Sequence, residues 1–130
     1  MLRLLSRSQS REIQPVFGAC VDYALMQDGR PFNENATELE FDELPAGTPR
    51  SAKRIFAIEP TPGQPVGVVE GLCGYPSLKI WYLGLMLVVP RSRSLGIGSS
   101  ALQELEDYVG PPEKVGAAAA NTDSGSQVPC

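Results

Sequence analysis

The sequence predicts an α+β domain with layered α/β/α architecture: an antiparallel meander sheet with helices on both faces. Two observations carry this prediction. Three β-rich runs follow one another between residues 54 and 89, separated only by short proline- and glycine-rich segments. Helical periodicity precedes these runs, near residues 13–27, and also follows them, near residues 101–109. The 130 residues, 42% of them apolar, are enough to bury one such core.

The N-terminal region is expected to be mostly helical. Residues 1–5 are short and apolar, which suits either an edge strand or a frayed terminus. A helix is then expected from a cap at Ser8 or Ser10 to about Gln27, with Pro15 in its first turns and Gly29 ending it. A second short helix is expected after Asn35 or Thr37. Its acidic side chains are interpreted as a solvated face, the alternative being a patch that attracts amines.

The three β-rich runs differ in length. They are Arg54–Glu59, Val66–Cys73 and Leu78–Val89, with turns at 60–65 and 74–77. In the third run, side chains alternate between the two faces of the strand, and both faces are mainly apolar from Ile80 to Val89. This pattern predicts a strand covered on both faces. The apolar stripe of the following helix then docks on the sheet.

Composition excludes several classes of function. A net charge of -4 argues against a nucleic-acid partner. The chain has no histidine, and its three cysteines form no CxxC pair, so no metal site is predicted. The N-terminus lacks the apolar core of a signal peptide, and no run approaches the length of a membrane span. These features predict a cytoplasmic protein with no membrane partner.

The loop after the third strand has the chemistry of a phosphate site. Arg93-x-x-Gly96-x-Gly98 lies between the strand and the following helix. Glycines let backbone amides approach an anion, and the helix N-terminus adds its positive dipole end. A dinucleotide fingerprint and a P-loop both fit this spacing less well. On spacing alone, a phosphate site and a purely structural turn stay equally plausible.

A longer stretch resembles a known family. Residues 85–102, with the pattern Val89-Pro90-x-x-Arg93-x-x-Gly96-Ile97-Gly98, look like the acetyl-CoA-binding motif of the GCN5-related N-acetyltransferase (GNAT) superfamily. The likeness extends upstream through 67–76 and 81–85 to the entry region around Gly29-Arg30-Pro31. It covers about 100 residues, to about Val109.

This resemblance implies acetyl-CoA as cosubstrate and a small-molecule or peptide amine as acceptor. It implies that the pyrophosphate is bound by Arg93 and by the loop amides, and that pantetheine pairs with the strand backbone like an added strand. The implied loop residues are Ser94, Leu95, Gly96, Ile97, Gly98 and Ser99, and the implied strand residues are Leu87, Val88 and Val89.

Glu70 is the best carboxylate for the general base, because it lies in an apolar strand near the implied cleft. The alternative is a glutamate at a strand end that faces water. Tyr75 and Tyr82 could supply hydroxyl groups, although aromatic residues in strands more often belong to the core.

The resemblance ends near Val109, whereas family members continue with further strands. We therefore expect an incomplete acetyltransferase-like domain over residues 1–110, lacking the C-terminal strands, and a disordered low-complexity tail over 111–130. The strand 78–89 would then be an exposed edge that is able to form a homodimer. The expected function is an N-acetyltransferase whose activity the truncation could impair. The alternative is a non-catalytic CoA-binding or strand-pairing interaction module.

Overall fold

The computed structural model describes residues 1–75, 80–109 and 126–129. They form a sheet of five strands in the order β1-β2-β3-β4-β5, and each neighbouring pair is antiparallel. The strands are β1 (Leu2–Leu5), β2 (Lys53–Ile58), β3 (Gly67–Cys73), β4 (Ile80–Val88) and β5 (Ser126–Pro129). The predicted meander is confirmed, and the N-terminal run is an edge strand.

Four α-helices accompany the sheet in the described part of the chain. They are α1 (Gln14–Ala19), α2 (Val21–Asp28), α3 (Ala36–Asp42) and α4 (Ile97–Val109). Short 3₁₀ helices cover Arg7–Ile13, Arg50–Ala52 and Pro90–Ser92. Within the described residues, no helix is both long enough and apolar enough to cross a membrane.

The first helix differs from the expected continuous one. Cys20 adopts φ -95° and ψ 47°, outside the helical region, and separates α1 from α2. Its thiol is fully buried against the sheet, where Sγ donates to the Val88 carbonyl at 3.5 Å. The apolar period continues through this break, so periodicity alone does not reveal it. Gly29 ends α2 in the left-handed region at φ 74°, as expected.

The core lies on both faces of the sheet, which confirms the layered fold. On one face Phe17 of α1, Phe41 of α3 and Cys20 between α1 and α2 pack on strand residues such as Val68 and Leu87. On the other face α4 supplies Ala101 and Leu105, which pack on the strand side chains Phe56, Val69, Trp81, Met86 and Val88.

A β-bulge at Gly84 interrupts β4. Glu70 pairs with Leu85 and Gly71 with Leu83, so Gly84 has no opposite residue on β3. The extra residue reverses the alternation: Trp81 and Leu83 share the α4 face with Met86 and Val88. The unbroken alternation predicted from Ile80 to Val89 is therefore wrong, because it counts a residue that the ladder leaves out.

β5 changes the expected edge of the sheet. It pairs with Ile80–Leu83, so these residues are not the exposed edge that the sequence predicted. Ser126–Pro129 form a strand, whereas the sequence predicted a disordered tail over 111–130. The remainder of that tail lies outside the described residues. Along Gly84–Val88, no strand in the described part of the chain pairs with the outer side of β4.

Candidate active site

The loop between β4 and α4 turns its backbone toward a concave surface. Ser94 has φ 66° and Gly96 has φ 78°, both in the left-handed region. The carbonyl of Gly96 accepts the first helical bond from the Ser100 N–H at 3.0 Å. The N–H groups of residues 97–99 therefore have no acceptor within the helix and carry its positive dipole end.

A pocket of about 250 Å³ lies beside this helix end. Six of the implied CoA residues line it, and four do not: Leu87, Val89, Leu95 and Ile97. Leu95 is instead exposed, while Leu87 and Val89 are buried in the core. The sequence missed three residues of the lining, Met86, Ser92 and Leu102. The complete lining is Met86, Val88, Ser92, Arg93, Ser94, Gly96, Gly98, Ser99 and Leu102.

Arg93 braces the loop. Its guanidinium donates to the Val88 carbonyl at 2.8 Å and to both carboxylate oxygens of Asp22, at 2.5 and 3.2 Å. This ion pair lowers the pKa of the Asp22 carboxyl, because the guanidinium stabilises the charged form. Arg93 lines the pocket, but most of its N–H groups already donate to Val88 and Asp22, which leaves few of them for an anion.

The outward backbone edge of β4 matches the implied strand residues only in part. The Val89 N–H donates to the Val66 carbonyl at 2.8 Å and thus faces β3. Hydrogen bonds alternate in direction along an antiparallel strand, so Leu87 also faces β3, whereas Met86 and Val88 face outward. The Val88 carbonyl already accepts from Arg93. The backbone edge for an added strand is therefore centred on Met86.

Glu70 lies at the floor of a cavity on the opposite face of the sheet. The cavity, of about 780 Å³, is also lined by Gly84 and Leu85, and its upper wall comes from α1, α2 and α3. Glu70 is only 7% exposed, so the water-facing alternative does not describe it. A Cβ at Gly84 would lie 2.9 Å from Glu70 Oε1. Because glycine has no side chain, the Glu70 carboxylate can occupy this space. A glycine inside an apolar strand is the sequence signal for such a bulge.

Glu70 belongs to a group of three ionisable residues. Lys53 Nζ lies 3.7 Å from Glu70 Oε1 and donates to the Glu40 backbone carbonyl at 2.7 Å. Glu40 is partly buried, and its carboxyl is hydrogen-bonded to Glu70. Burial and the neighbouring carboxylate raise the pKa of Glu40 to about 9. The interpretation of α3 as a solvated acidic face is therefore wrong at Glu40, which points toward the sheet.

Replacing Glu40 with glutamine is expected to stabilise the fold, and more strongly as the pH rises. The unfolded chain releases this proton near the ordinary pKa of 4.5, whereas the folded chain keeps it to about 9. Ionisation therefore favours unfolding across that range, by up to ~1.4 kcal/mol for each pH unit. Denaturation of E40Q at pH 5 and pH 8 measures the gain.

Glu38→Gln is the control for this prediction, because Glu38 lies on the same helix and forms a surface ion pair with Arg11. A stability gain for E40Q that does not grow between pH 5 and pH 8 would contradict the raised pKa.

Among residues 1–75, 80–109 and 126–129, no group of three or more His, Cys, Asp or Glu side chains could hold a metal ion. The arrangement instead offers backbone amides for an anion on one face of β4 and a buried carboxylate on the other face. Both surfaces adjoin the same stretch, Gly84–Val88, at the open outer edge.

Comparison with known proteins shows the family to which the chain belongs. No curated protein matches the chain. An acetyltransferase from Thermus thermophilus has a similar fold, with a TM-score of 0.63 and 22% sequence identity over 82% of this chain and 68% of that one. A model of the acetyltransferase (GNAT) family matches residues 21–124. This match covers the loop, the pocket beside α4, the open edge of β4 and every residue of the Glu70 cavity except Phe17. The chain belongs to the acetyltransferase (GNAT) family.

Proposed function

We propose that the chain transfers an acetyl group from acetyl-CoA to an amine, and that it does so in the cytoplasm. One observation carries the proposal. The pocket beside the start of α4, here called the anion pocket, and the cavity that holds Glu70 lie on opposite faces of the sheet and meet at the open edge Gly84–Val88. A cosubstrate with a phosphate end and a thioester end can bind along that edge and present its thioester to the cavity.

The donor set suits CoA. The N–H groups at the start of α4 and the hydroxyls of Ser94 and Ser99 are ligands for a pyrophosphate. The outward backbone groups of Met86 can pair with the amides of pantetheine as an added strand does. Both elements recognise features that CoA and acetyl-CoA share, so both ligands should bind.

The proposed chemistry is direct transfer. The amine nitrogen attacks the thioester carbonyl, the new C–N bond forms, and the C–S bond breaks to release the CoA thiolate. Glu70 accepts the proton that the amine loses, and the thiolate takes a proton from solvent. The protein contributes alignment of the amine and the thioester, together with a carboxylate that is largely buried.

Two measurements test this function on the full chain. Calorimetry with CoA and acetyl-CoA measures binding, and a thiol-release assay measures turnover with primary alkyl, aromatic and peptide amines. Binding with turnover supports the enzyme. Binding without turnover over the whole panel would support the non-catalytic CoA-binding module instead. Absence of binding at millimolar ligand would overturn both.

Gly98→Ala is expected to weaken CoA binding about 10- to 100-fold, because its methyl group would stand where a phosphate approaches the helix amides. The fold should be retained: the nearest atom to the new Cβ is Met86 Cε at 3.9 Å, an ordinary contact. Calorimetry and thermal denaturation separate the two effects, and Gln103→Ala is an exposed control on the same helix. Unchanged CoA affinity in a folded G98A would indicate a purely structural turn.

A further inference from the structure

The cavity that holds Glu70 has a neighbour. A second, more open cavity of about 560 Å³ is lined by Lys53 and Leu72 and by residues at the end of α3. Glu40 and Glu70 line both cavities, so the carboxyl pair stands where the two meet. The proposed function gives a role to Glu70 alone and leaves Glu40 and the second cavity unused.

We propose that Glu40 is a positioning residue and the proton partner of Glu70. Together the two carboxyls pass the proton of the acceptor amine from the first cavity to solvent in the second. This inference rests on the proposed function. It requires two carboxyls in hydrogen-bond contact and an exit for the proton on the far side, and both are present.

The proton balance is as follows. Before transfer, Glu40 is protonated and donates to the ionised Glu70. Glu70 accepts the amine proton while Glu40 releases its own proton to water in the second cavity. The remaining proton then crosses the hydrogen bond from Glu70 to Glu40, which restores the starting state with one proton exported. The raised pKa of Glu40, about 9, is consistent with this starting state near neutral pH.

The neighbouring charges support a single shared proton. Lys53 approaches from β2 and offsets one negative charge. The other titratable and charged groups that the described residues place around the pair are Tyr23 and Asp28 from α2, Arg30 from the loop after it, Asp42 at the end of α3, Glu43 beyond it and Tyr82 from β4. Asp42 is itself paired with Arg7 and Arg50. With one cation adjacent, one ionised and one protonated carboxyl keep the group neutral, whereas two buried carboxylates would repel each other.

Glu40→Gln tests the relay, because an amide can still donate to Glu70 but cannot pass a proton on. We expect at least a tenfold lower kcat with an unchanged KM for acetyl-CoA. Above about pH 9 the wild-type rate should fall as Glu40 ionises, and this decline should be absent in E40Q. Glu38→Gln on the same helix is the control, since Glu38 lines neither cavity.

A second variant separates proton transfer from a structural role. Glu40→Ala opens space at the junction of the cavities, and added formate should restore part of the lost rate in E40A but not in E40Q. Wild-type turnover together with unchanged kcat and pH profile in E40Q would overturn the relay while leaving the proposed function intact. Absence of wild-type turnover with every amine would overturn both.

Discussion

Glu70→Gln is expected to lower kcat at least ~100-fold, the usual contribution of a positioned general base. Glutamine has the shape of glutamate and preserves the contact over Gly84, but it cannot accept the amine proton. CoA affinity should stay within about twofold, because the anion pocket lies on the other face of the sheet. Steady-state kinetics and calorimetry on the same preparation measure the two quantities.

Glu106→Gln provides the matched charge change for this experiment. Glu106 lies on α4, on the opposite face of the sheet from Glu70, and lines none of the three cavities. Its kcat should remain near that of the wild type. A folded E70Q that keeps full kcat would remove Glu70 as the base and leave the proton to water or to another group.

Gly67→Ala is expected to cost the largest share of stability, about 2–4 kcal/mol, as overpacking at a close backbone contact does. A Cβ at Gly67 would lie 2.5 Å from the Leu87 carbonyl oxygen and 2.9 Å from Ile58 Cδ1. The first of these atoms belongs to the backbone of β4, so relief requires the strands to separate. Urea denaturation measures the loss.

Gly18→Ala is the control with the opposite sign. Gly18 lies within α1, is exposed, and has no atom within 4 Å of an added Cβ among the described residues. Alanine there should stabilise the fold by about 0.5–1 kcal/mol through helix propensity. A G67A variant as stable as the wild type would contradict the close packing of β3 on β4.

The sequence predicts well where a regular pattern is translated directly into structure. Pro15 lies in the first turn of α1, Gly29 ends α2, and the apolar stripe of α4 packs on the sheet, because each rests on local geometry. The strands pair as expected because the turns between them are short. The family resemblance then identifies the loop before α4 as a candidate CoA site.

The remaining features depend on tertiary contacts that periodicity does not encode. The bulge at Gly84 reverses the faces of β4, and thereby moves the open backbone edge to Met86. In sequence Glu40 resembles its acidic neighbours on α3. It is distinguished only by its contact with Glu70 on the sheet beneath α3. Arg93 carries the charge expected of a phosphate ligand, but its main partner, Asp22, is 71 residues away in sequence.

That ion pair has a consequence for the two substrates of the proposed reaction. Arg93 joins the loop before α4 to the first turn of α2, and Tyr23 and Asp28 of the same short helix line the cavity on the other face. A displacement of the loop on the binding of an anion would therefore act on α2, which carries part of the wall of that cavity. Thermodynamic reciprocity then requires an amine that favours the displaced wall to increase affinity for the nucleotide end by the same factor. In the proposed reaction each substrate would then strengthen the binding of the other through α2.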